Sequence, residues 1–254
     1  MPIELAIVPC LRDNYAYLLH NDETGETALI DAPESDPIAK VLERKGWTLT
    51  DILLTHHHPD HVDGVVGLRS DTVRVVGHAN DSQRLPALDL AVVEGDTFTV
   101  CGAEVAVIEV YGHTIGHIAF HMPEEELLFS ADSLMAYGCG RLFEGTPEKM
   151  WESMQKLRGL PEETIVLSGH EYTLKNAEFA LTLEPARAAT ISRVEAVKAA
   201  RARGNPTVPT RLGEEAETNP FLRADDPELA AAIGMEGADP VAVFAEVRAR
   251  RDSF

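Results

Sequence analysis

The chain has 254 residues, 44% of them hydrophobic and 25% charged, which is the composition of a globular protein and excludes disorder over most of its length. At about 150 residues per domain, this length suits one large domain or one domain with a smaller companion. The 22 basic and 42 acidic side chains give a net charge of −20, which repels phosphate backbones and argues against a nucleic-acid partner.

The charged residues and the histidines are unevenly distributed. Residues 1–170 contain 11 Lys and Arg against 28 Asp and Glu, whereas residues 171–254 contain 11 against 14. All ten histidines lie at or before His170. We therefore predict two domains with different roles, 1–170 and 171–254.

The strand signals all lie before residue 170 and predict an α/β or α+β fold for that part of the chain. Short apolar runs that end at polar residues predict strands at 28–31, 51–55, 126–130 and 164–168, and a hairpin at 98–108 that turns through Cys101-Gly102. Thr146-Pro147 predicts the start of a helix that ends at Gly159.

The second half of the chain reads as helical. Pro185 to Arg203 contains no internal Gly or Pro and predicts one long helix. Asp239-Pro240 predicts the start of a final helix, on which Phe244, Arg248 and Arg251 share a face. The tail is thus expected to form a small helical domain.

The three cysteines and the N-terminus indicate a cytoplasmic protein. Cys10, Cys101 and Cys139 are widely spaced without a Cys-x-x-Cys pair, so neither a disulfide framework nor a zinc ribbon is indicated. Met1 to Leu5 lack the basic region of an export signal, and no apolar run approaches the roughly 18 residues of a membrane span. We expect no membrane association.

The strongest chemical signal is the pattern His-x-His-x-Asp-His after the second predicted strand. Residues two apart in an extended segment point the same way, about 6.6 Å apart, so His56, His58 and Asp60 can converge on a metal. His61 leaves that row at the start of a helix towards Leu68 and can face a second metal with Asp60. The intervening His57 is read as a spacer.

Further candidate ligands follow strand-like runs downstream. His113, Asp132 and His170 each stand beside small residues that leave room for a metal and a substrate. With the first motif, their order resembles that of the metallo-β-lactamase superfamily. The segments 138–146, 169–173 and 218–223 resemble the glyoxalase II, or hydroxyacylglutathione hydrolase, family more closely, and this resemblance covers nearly the whole chain.

The resemblance implies a metallo-β-lactamase-like αββα sandwich, an α+β fold, with a C-terminal helical domain that binds glutathione. It implies two divalent metal ions, with zinc favoured and iron or manganese as alternatives, because imidazole and carboxylate do not select sharply among them. Asp31 matches a position that supports a ligand histidine, although it also reads as a turn cap. The implied ligands are His56, His58 and His113 for one metal, Asp60, His61 and His170 for the other, and Asp132 between them.

The implied reaction is hydrolysis of the thioester S-D-lactoylglutathione, and of related 2-hydroxyacylglutathiones, to D-lactate and glutathione, the second step of methylglyoxal detoxification. Asp60 and Asp132 are the implied catalytic residues, acting with a metal-bridging hydroxide. We expect a monomer whose partner is this small-molecule thioester. The implied substrate-binding residues are Arg141, Phe143, Tyr172, Arg248 and Arg251.

Phe143 stands where many relatives have Tyr, and Arg251 stands where they have Lys, which puts the affinity for glutathione in question. The alternatives are a persulfide dioxygenase with a single iron, another metal-dependent hydrolase of the superfamily, and an RNA-processing or non-catalytic member, the RNA role being disfavoured by the charge. Cys139 reads as a small packed residue rather than a nucleophile. The other histidines read as structural or surface residues: His20, His78, His117 and His121.

Overall fold

The computed structural model describes residues 3–254, so Met1 and Pro2, part of the segment inspected for an export signal, lie outside it. Packing divides the chain into two compact units, one of residues up to 109 with 115–130, and one of 110–114 with 131–254. The domain boundary at residue 170 stays a prediction. Among residues 3–254, no helix is both long and apolar enough to cross a membrane.

The first unit contains a mixed six-stranded sheet in the order β1-β2-β3-β4-β5-β6, antiparallel from β1 to β3 and parallel from β3 to β6. Its strands are Ile3–Cys10 (β1), Asn14–Asn21 (β2), Glu26–Ile30 (β3), Asp51–Leu53 (β4), Arg74–His78 (β5) and Leu90–Val92 (β6). Strands β3 and β4 confirm the first two predicted strands.

A parallel register between β3 and β4 sets the position of the histidine motif. Ile30 pairs with Leu53, and the amide of Asp31 donates to the carbonyl of Leu53 at 2.9 Å. Both strands therefore end at the same edge of the sheet, where Asp31 and Thr55 emerge next to each other.

The first unit also contains antiparallel strands in the order β10-β9-β8-β7, which are Thr97–Val100 (β7), Ala103–Glu109 (β8), Ile118–Met122 (β9) and Leu127–Ala131 (β10). The predicted hairpin is β7–β8, and its turn residues Cys101 and Gly102 have φ values of 51° and 74°, as a type I′ turn requires. Tyr17 of β2 contacts Phe129 of β10, with ring centroids 5.8 Å apart, so the two sheets face each other within this unit.

Helix Ser35–Lys45 (α1) packs Ile38 and Leu42 into the core of the first unit together with Leu29 and Ile52 of the first sheet. Two short helices follow the histidine motif, Pro59–Val62 (α2) and Val65–Leu68 (α3). The helix predicted to run towards Leu68 is thus interrupted, because the amide of Gly64 donates to the carbonyl of Ala32 at 2.8 Å and not to a carbonyl of the same helix.

The second unit is mainly helical. It contains two strand pairs and the helices Pro147–Arg158 (α4), Thr173–Leu183 (α5), Ala188–Ala202 (α6), Leu212–Thr218 (α7), Pro227–Ala232 (α8) and Pro240–Ser253 (α9). The strand pairs are Leu134–Met135 (β11) with Gly138–Cys139 (β12), and Ile165–Ser168 (β13) with Thr210–Arg211 (β14).

The helix starts predicted at Thr146 and Asp239 are confirmed. The Thr146 side chain accepts from the amide of Lys149, and the Asp239 carboxylate accepts from the amide of Val241 at 2.9 Å. The long helix predicted from Pro185 begins later, because Arg187 is extended with φ −74° and ψ 115°. Its buried face packs Val194 and Val197 against Tyr137, Ala177 and Ala180.

Candidate metal centre

Asp31 orients two of the predicted ligand histidines. Its Oδ2 accepts from Nδ1 of His61 and from the hydroxyl of Thr55, each at 2.8 Å. The Thr55 hydroxyl uses its hydrogen there, so it accepts from Nδ1 of His56 at 3.0 Å. Both imidazoles therefore carry a proton on Nδ1 and present the lone pair of Nε2. This geometry supports the role of Asp31 behind the ligands.

Asp60 and His58 complete the predicted ligands of the first unit. Nε2 of His56 lies 3.1 Å from Nδ1 of His58, so these two rings converge as predicted. The amide group of Asn14 donates to Oδ2 of Asp60 at 3.1 Å and to its carbonyl at 3.0 Å. Asn14 is 4% exposed and fixes this carboxylate. Its role was not predicted, because the two residues are 46 positions apart in sequence.

In the second unit, Asp132 lies between the two other predicted histidine ligands. Its Oδ2 is 3.5 Å from Nε2 of His113 and 3.3 Å from Nε2 of His170. Nδ1 of His113 is 2.8 Å from the carbonyl of Arg141, and because a carbonyl only accepts, the proton is on Nδ1. The lone pair of Nε2 thus faces the carboxylate oxygen.

Asp31 and Asp132 each stand at a sharp backbone turn at the end of a strand. Asp31 itself has a φ of 53° directly after β3, and Ala131, the residue before Asp132, has a φ of 41°. Non-glycine residues in this left-handed region are strained, and such strain is concentrated at functional sites.

The donor sets of both units fit divalent metal ions. In the first unit, the buried His56 and His61 present their Nε2 lone pairs, and Nε2 of His56 lies 3.1 Å from Nδ1 of His58. In the second, the imidazole lone pair of His113 facing the Asp132 carboxylate is repulsive by itself and becomes favourable when a cation lies near both. Neutral imidazole with carboxylate suits zinc, iron and manganese alike.

The predicted substrate-binding residues all lie in the second unit but differ in exposure. Phe143 is 60% exposed and packs edge-on against His113, with ring centroids 5.3 Å apart. Tyr172 is 39% exposed and stacks on His170 at 4.6 Å. The exposed Arg141 pairs with the Asp252 carboxylate at 3.3 Å.

Arg248 and Arg251 are held by protein groups. Arg248 is buried, donates to the carbonyl of Cys139 at 3.0 Å and pairs with Asp252 at 2.9 Å. Arg251 donates from Nε and Nη2 to the Asn176 side-chain oxygen, at 3.1 and 3.0 Å. Both arginines thus have a structural role, and their contact with substrate stays a prediction.

The remaining reactive side chains are packed in the protein. Cys139 is buried, and burial raises the pKa of its thiol to about 11, opposed by the nearby Arg248, as expected for a packed residue rather than a nucleophile. The four other histidines are all buried, which supports the structural interpretation over the surface one: His20, His78, His117 and His121.

Known families match the chain over almost its whole length. Residues 11–170 match the metallo-β-lactamase superfamily, and residues 171–254 match the hydroxyacylglutathione hydrolase C-terminus. Hydroxyacylglutathione hydrolases of Ruegeria pomeroyi and Cereibacter sphaeroides are 57% and 58% identical to it, with 100% of each chain covered. A solved structure, TTHA1623 in a di-iron-bound form, has a TM-score of 0.62 at 26% identity, covering 86% of this chain and 99% of that one.

The fold and the donor sets define a member of the metallo-β-lactamase superfamily, with an α+β αββα sandwich and a C-terminal helical domain, as predicted. Within that superfamily, the chain belongs to the hydroxyacylglutathione hydrolase family, whose members are thioester hydrolases.

Proposed function

We propose that this protein hydrolyses S-D-lactoylglutathione and related 2-hydroxyacylglutathiones to the hydroxy acid and glutathione. The observation that carries the proposal is Asp132 between the Nε2 atoms of two histidines, an arrangement suited to a carboxylate shared by two metals. The relatives named hydroxyacylglutathione hydrolase support the substrate, and the family match over 171–254 favours it over the single-iron dioxygenase. Such a reaction belongs to methylglyoxal detoxification.

The ligands of both units are proposed to serve one centre of two divalent metals. We assign His56, His58 and His113 to the first metal, Asp60, His61 and His170 to the second, and Asp132 to both. The di-iron form of TTHA1623 is a precedent for two metals on this fold. Zinc is the proposed resident, with iron and manganese compatible with the same donors.

When bound, the two metals supply an activated hydroxide near neutral pH and polarise the thioester carbonyl. Asp60, whose Oδ2 accepts from the Asn14 amide group, is proposed to take up a proton during the reaction. The leaving thiolate is a weak base, so no strong general acid is required among the protein groups.

We further propose that Arg141, Phe143 and Tyr172 bind the glutathione moiety beside the ligand histidines they contact. Arg248 and Arg251 are proposed to add positive charge that attracts the glutathione carboxylates. They also stabilise the loop at Cys139 and helix α5 at Asn176 through their hydrogen bonds. The protein is proposed to act in the cytoplasm as a monomer.

The test is a thioester panel combined with metal analysis. The metal-loaded protein is expected to hydrolyse S-D-lactoylglutathione, followed as loss of thioester absorbance, and to contain two metal ions per chain. Asp132→Ala is expected to abolish turnover and most metal binding, with Asp71→Ala as an exposed-carboxylate control. A fully metallated protein that does not turn over this thioester would refute the assignment, and an Asp132→Ala variant that keeps two ions would refute the bridging role.

A further inference from the structure

We propose that Asp81 is a positioning residue that orients the ligand pair His56 and His58 by holding the intervening His57. The proposal rests on the proposed metal centre and involves residues of the first unit alone. His57 lies between two predicted ligands without being one, so any group that fixes its side chain also fixes the backbone from which both ligands project.

His57, Asp81 and Arg84 form a closed cluster. Nη1 of Arg84 donates to Nε2 of His57 at 3.3 Å, so the proton of the neutral ring is on Nδ1. That nitrogen lies 3.2 Å from Oδ2 of Asp81, an electrostatic contact without hydrogen-bond geometry, while Oδ1 of Asp81 accepts from Nε of Arg84 at 2.5 Å. The Asp81 side chain is 2% exposed, so its charge is shielded from water and balanced by the Arg84 guanidinium.

The cluster acts on the ligands through the alternation of an extended chain. Successive side chains of such a segment point in different directions, so His57 reaches Asp81 while His56 and His58 face each other. Rotation of the backbone at His57 would displace both ligand rings together. A contact that fixes the His57 imidazole therefore also fixes the orientation of the His56 and His58 imidazoles.

The opposite side of Asp81 is closed by a second histidine-bearing segment. A Cβ on Gly116 would lie 2.3 Å from Oδ2 of Asp81, so only glycine allows this approach. The next residue, His117, stacks on His56 with ring centroids 4.6 Å apart. Asp81 is thus enclosed between His57 and the segment that packs against the ligand ring.

Zinc affinity of the full-length protein, measured by competition with a chromophoric chelator, tests the proposal. Asp81→Asn keeps the side-chain volume, removes the charge, and is expected to lower zinc affinity about 10- to 100-fold. Asp51→Asn is the matched control, because it removes another buried carboxylate, 2.6 Å from Arg74, at the far end of β4. The control is expected to keep the wild-type zinc affinity.

Gly116→Ala provides a second variant, expected to weaken zinc binding by displacing Asp81, and to change the visible spectrum of the cobalt-substituted protein as Asp81→Asn does. The losses of zinc affinity caused by His57→Ala and by Asp81→Asn are expected to be non-additive in the double variant, because both substitutions remove the same contact. Wild-type zinc affinity in both Asp81→Asn and Gly116→Ala, or an equal loss in Asp51→Asn, would overturn the positioning role alone. A wild-type protein that binds no zinc would overturn the metal centre itself.

Discussion

At the scale of single residues, the Asp31 carboxylate determines which nitrogen of two candidate ligand histidines, His56 and His61, is available to a metal. It accepts three hydrogen bonds, from the amide and hydroxyl of Thr55 and from Nδ1 of His61. Hydrogen bonds that fix the tautomer of a ligand histidine commonly contribute 10- to 100-fold in metal affinity, roughly. Asp31 is therefore expected to contribute to metal affinity although it is not one of the predicted ligands.

Asp31→Asn is expected to lower metal affinity about 10- to 100-fold, because an amide offers one acceptor oxygen and turns its NH₂ towards donors. Asn tolerates the left-handed backbone of this position, so the strain is unchanged. The measurement is metal content after dialysis against a graded chelator series, with the exposed Asp36→Asn as control. Equal metal retention in the two variants would contradict this role.

Sequence patterns could predict the candidate ligands but not all the groups that orient them. The ligands stand in one dense motif and after strand ends, and both signals are local. Asn14 and Asp81 lie 46 and 24 positions from the residues they hold, and their single-letter context carries no metal-site pattern. Only the pairing of distant strands and loops brings them into contact.

At the scale of elements, the loop from Leu134 to Cys139 is held by side chains of the helical tail. Glu215 accepts from the amide of Tyr137 at 2.8 Å, and Asn219 donates to the carbonyls of Met135 and Gly138, each at 3.1 Å. Tyr137 has a φ of 58°, which such contacts must stabilise. Helix α7 thus fixes the loop that follows Asp132.

Arg193→Met on α6 is expected to lower the free energy of unfolding by about 3–5 kcal/mol, because it leaves the Glu215 carboxylate buried without its cation. Burial lowers the pKa of Arg193, but the Glu215 and Glu214 carboxylates outweigh it, so the pKa is raised and the guanidinium stays charged. Urea unfolding measures the change.

Lys198→Met is the matched control on the same helix. Lys198 forms an exposed pair with Glu195 at 3.8 Å, which is worth less than about 0.5 kcal/mol. If the Arg193 and Lys198 variants unfold at the same urea concentration, the buried pair does not support the tail.

At the scale of the whole molecule, several basic residues of the tail pair with acidic residues of the protein, whereas their charge predicts contacts with an anionic substrate. Lys and Arg are more frequent after residue 170 than before it, which predicts basic groups for an anionic substrate. In the structure, Arg193 pairs with Glu215, Arg223 with Glu184, and Arg248 with Asp252. Much of that positive charge therefore stabilises the fold.

The protein is expected to lose stability as the pH rises from about 9 to about 11. Burial is the main cause that raises the pKa of Cys139 and Cys10 to about 11 and of Cys101 to about 12, from an ordinary 9.0. The folded state thus holds these protons more tightly than the unfolded state, so the stabilisation is complete below pH 9 and is lost above it, by up to about 1.4 kcal/mol per pH unit for each thiol.

Urea unfolding in reducing buffer at intervals from pH 8 to pH 11 tests this dependence. The Cys139→Ala variant is expected to show a smaller decrease of the free energy of unfolding per pH unit than the wild type. A free energy of unfolding that does not fall over that interval would refute the effect of the buried thiols.

By itself, the sequence determined the family, the seven candidate ligands, the strands that lead to them and the helical tail, because these depend on local periodicity and on motifs of adjacent residues. It could not place the interruption at Gly64 or the late start of α6, which follow from the hydrogen bond of Gly64 to Ala32 and from one extended residue. The tertiary structure alone decided the histidine tautomers and the contacts of Asp81 and Arg248. These depend on hydrogen bonds between residues far apart in sequence, and no local pattern encodes such bonds.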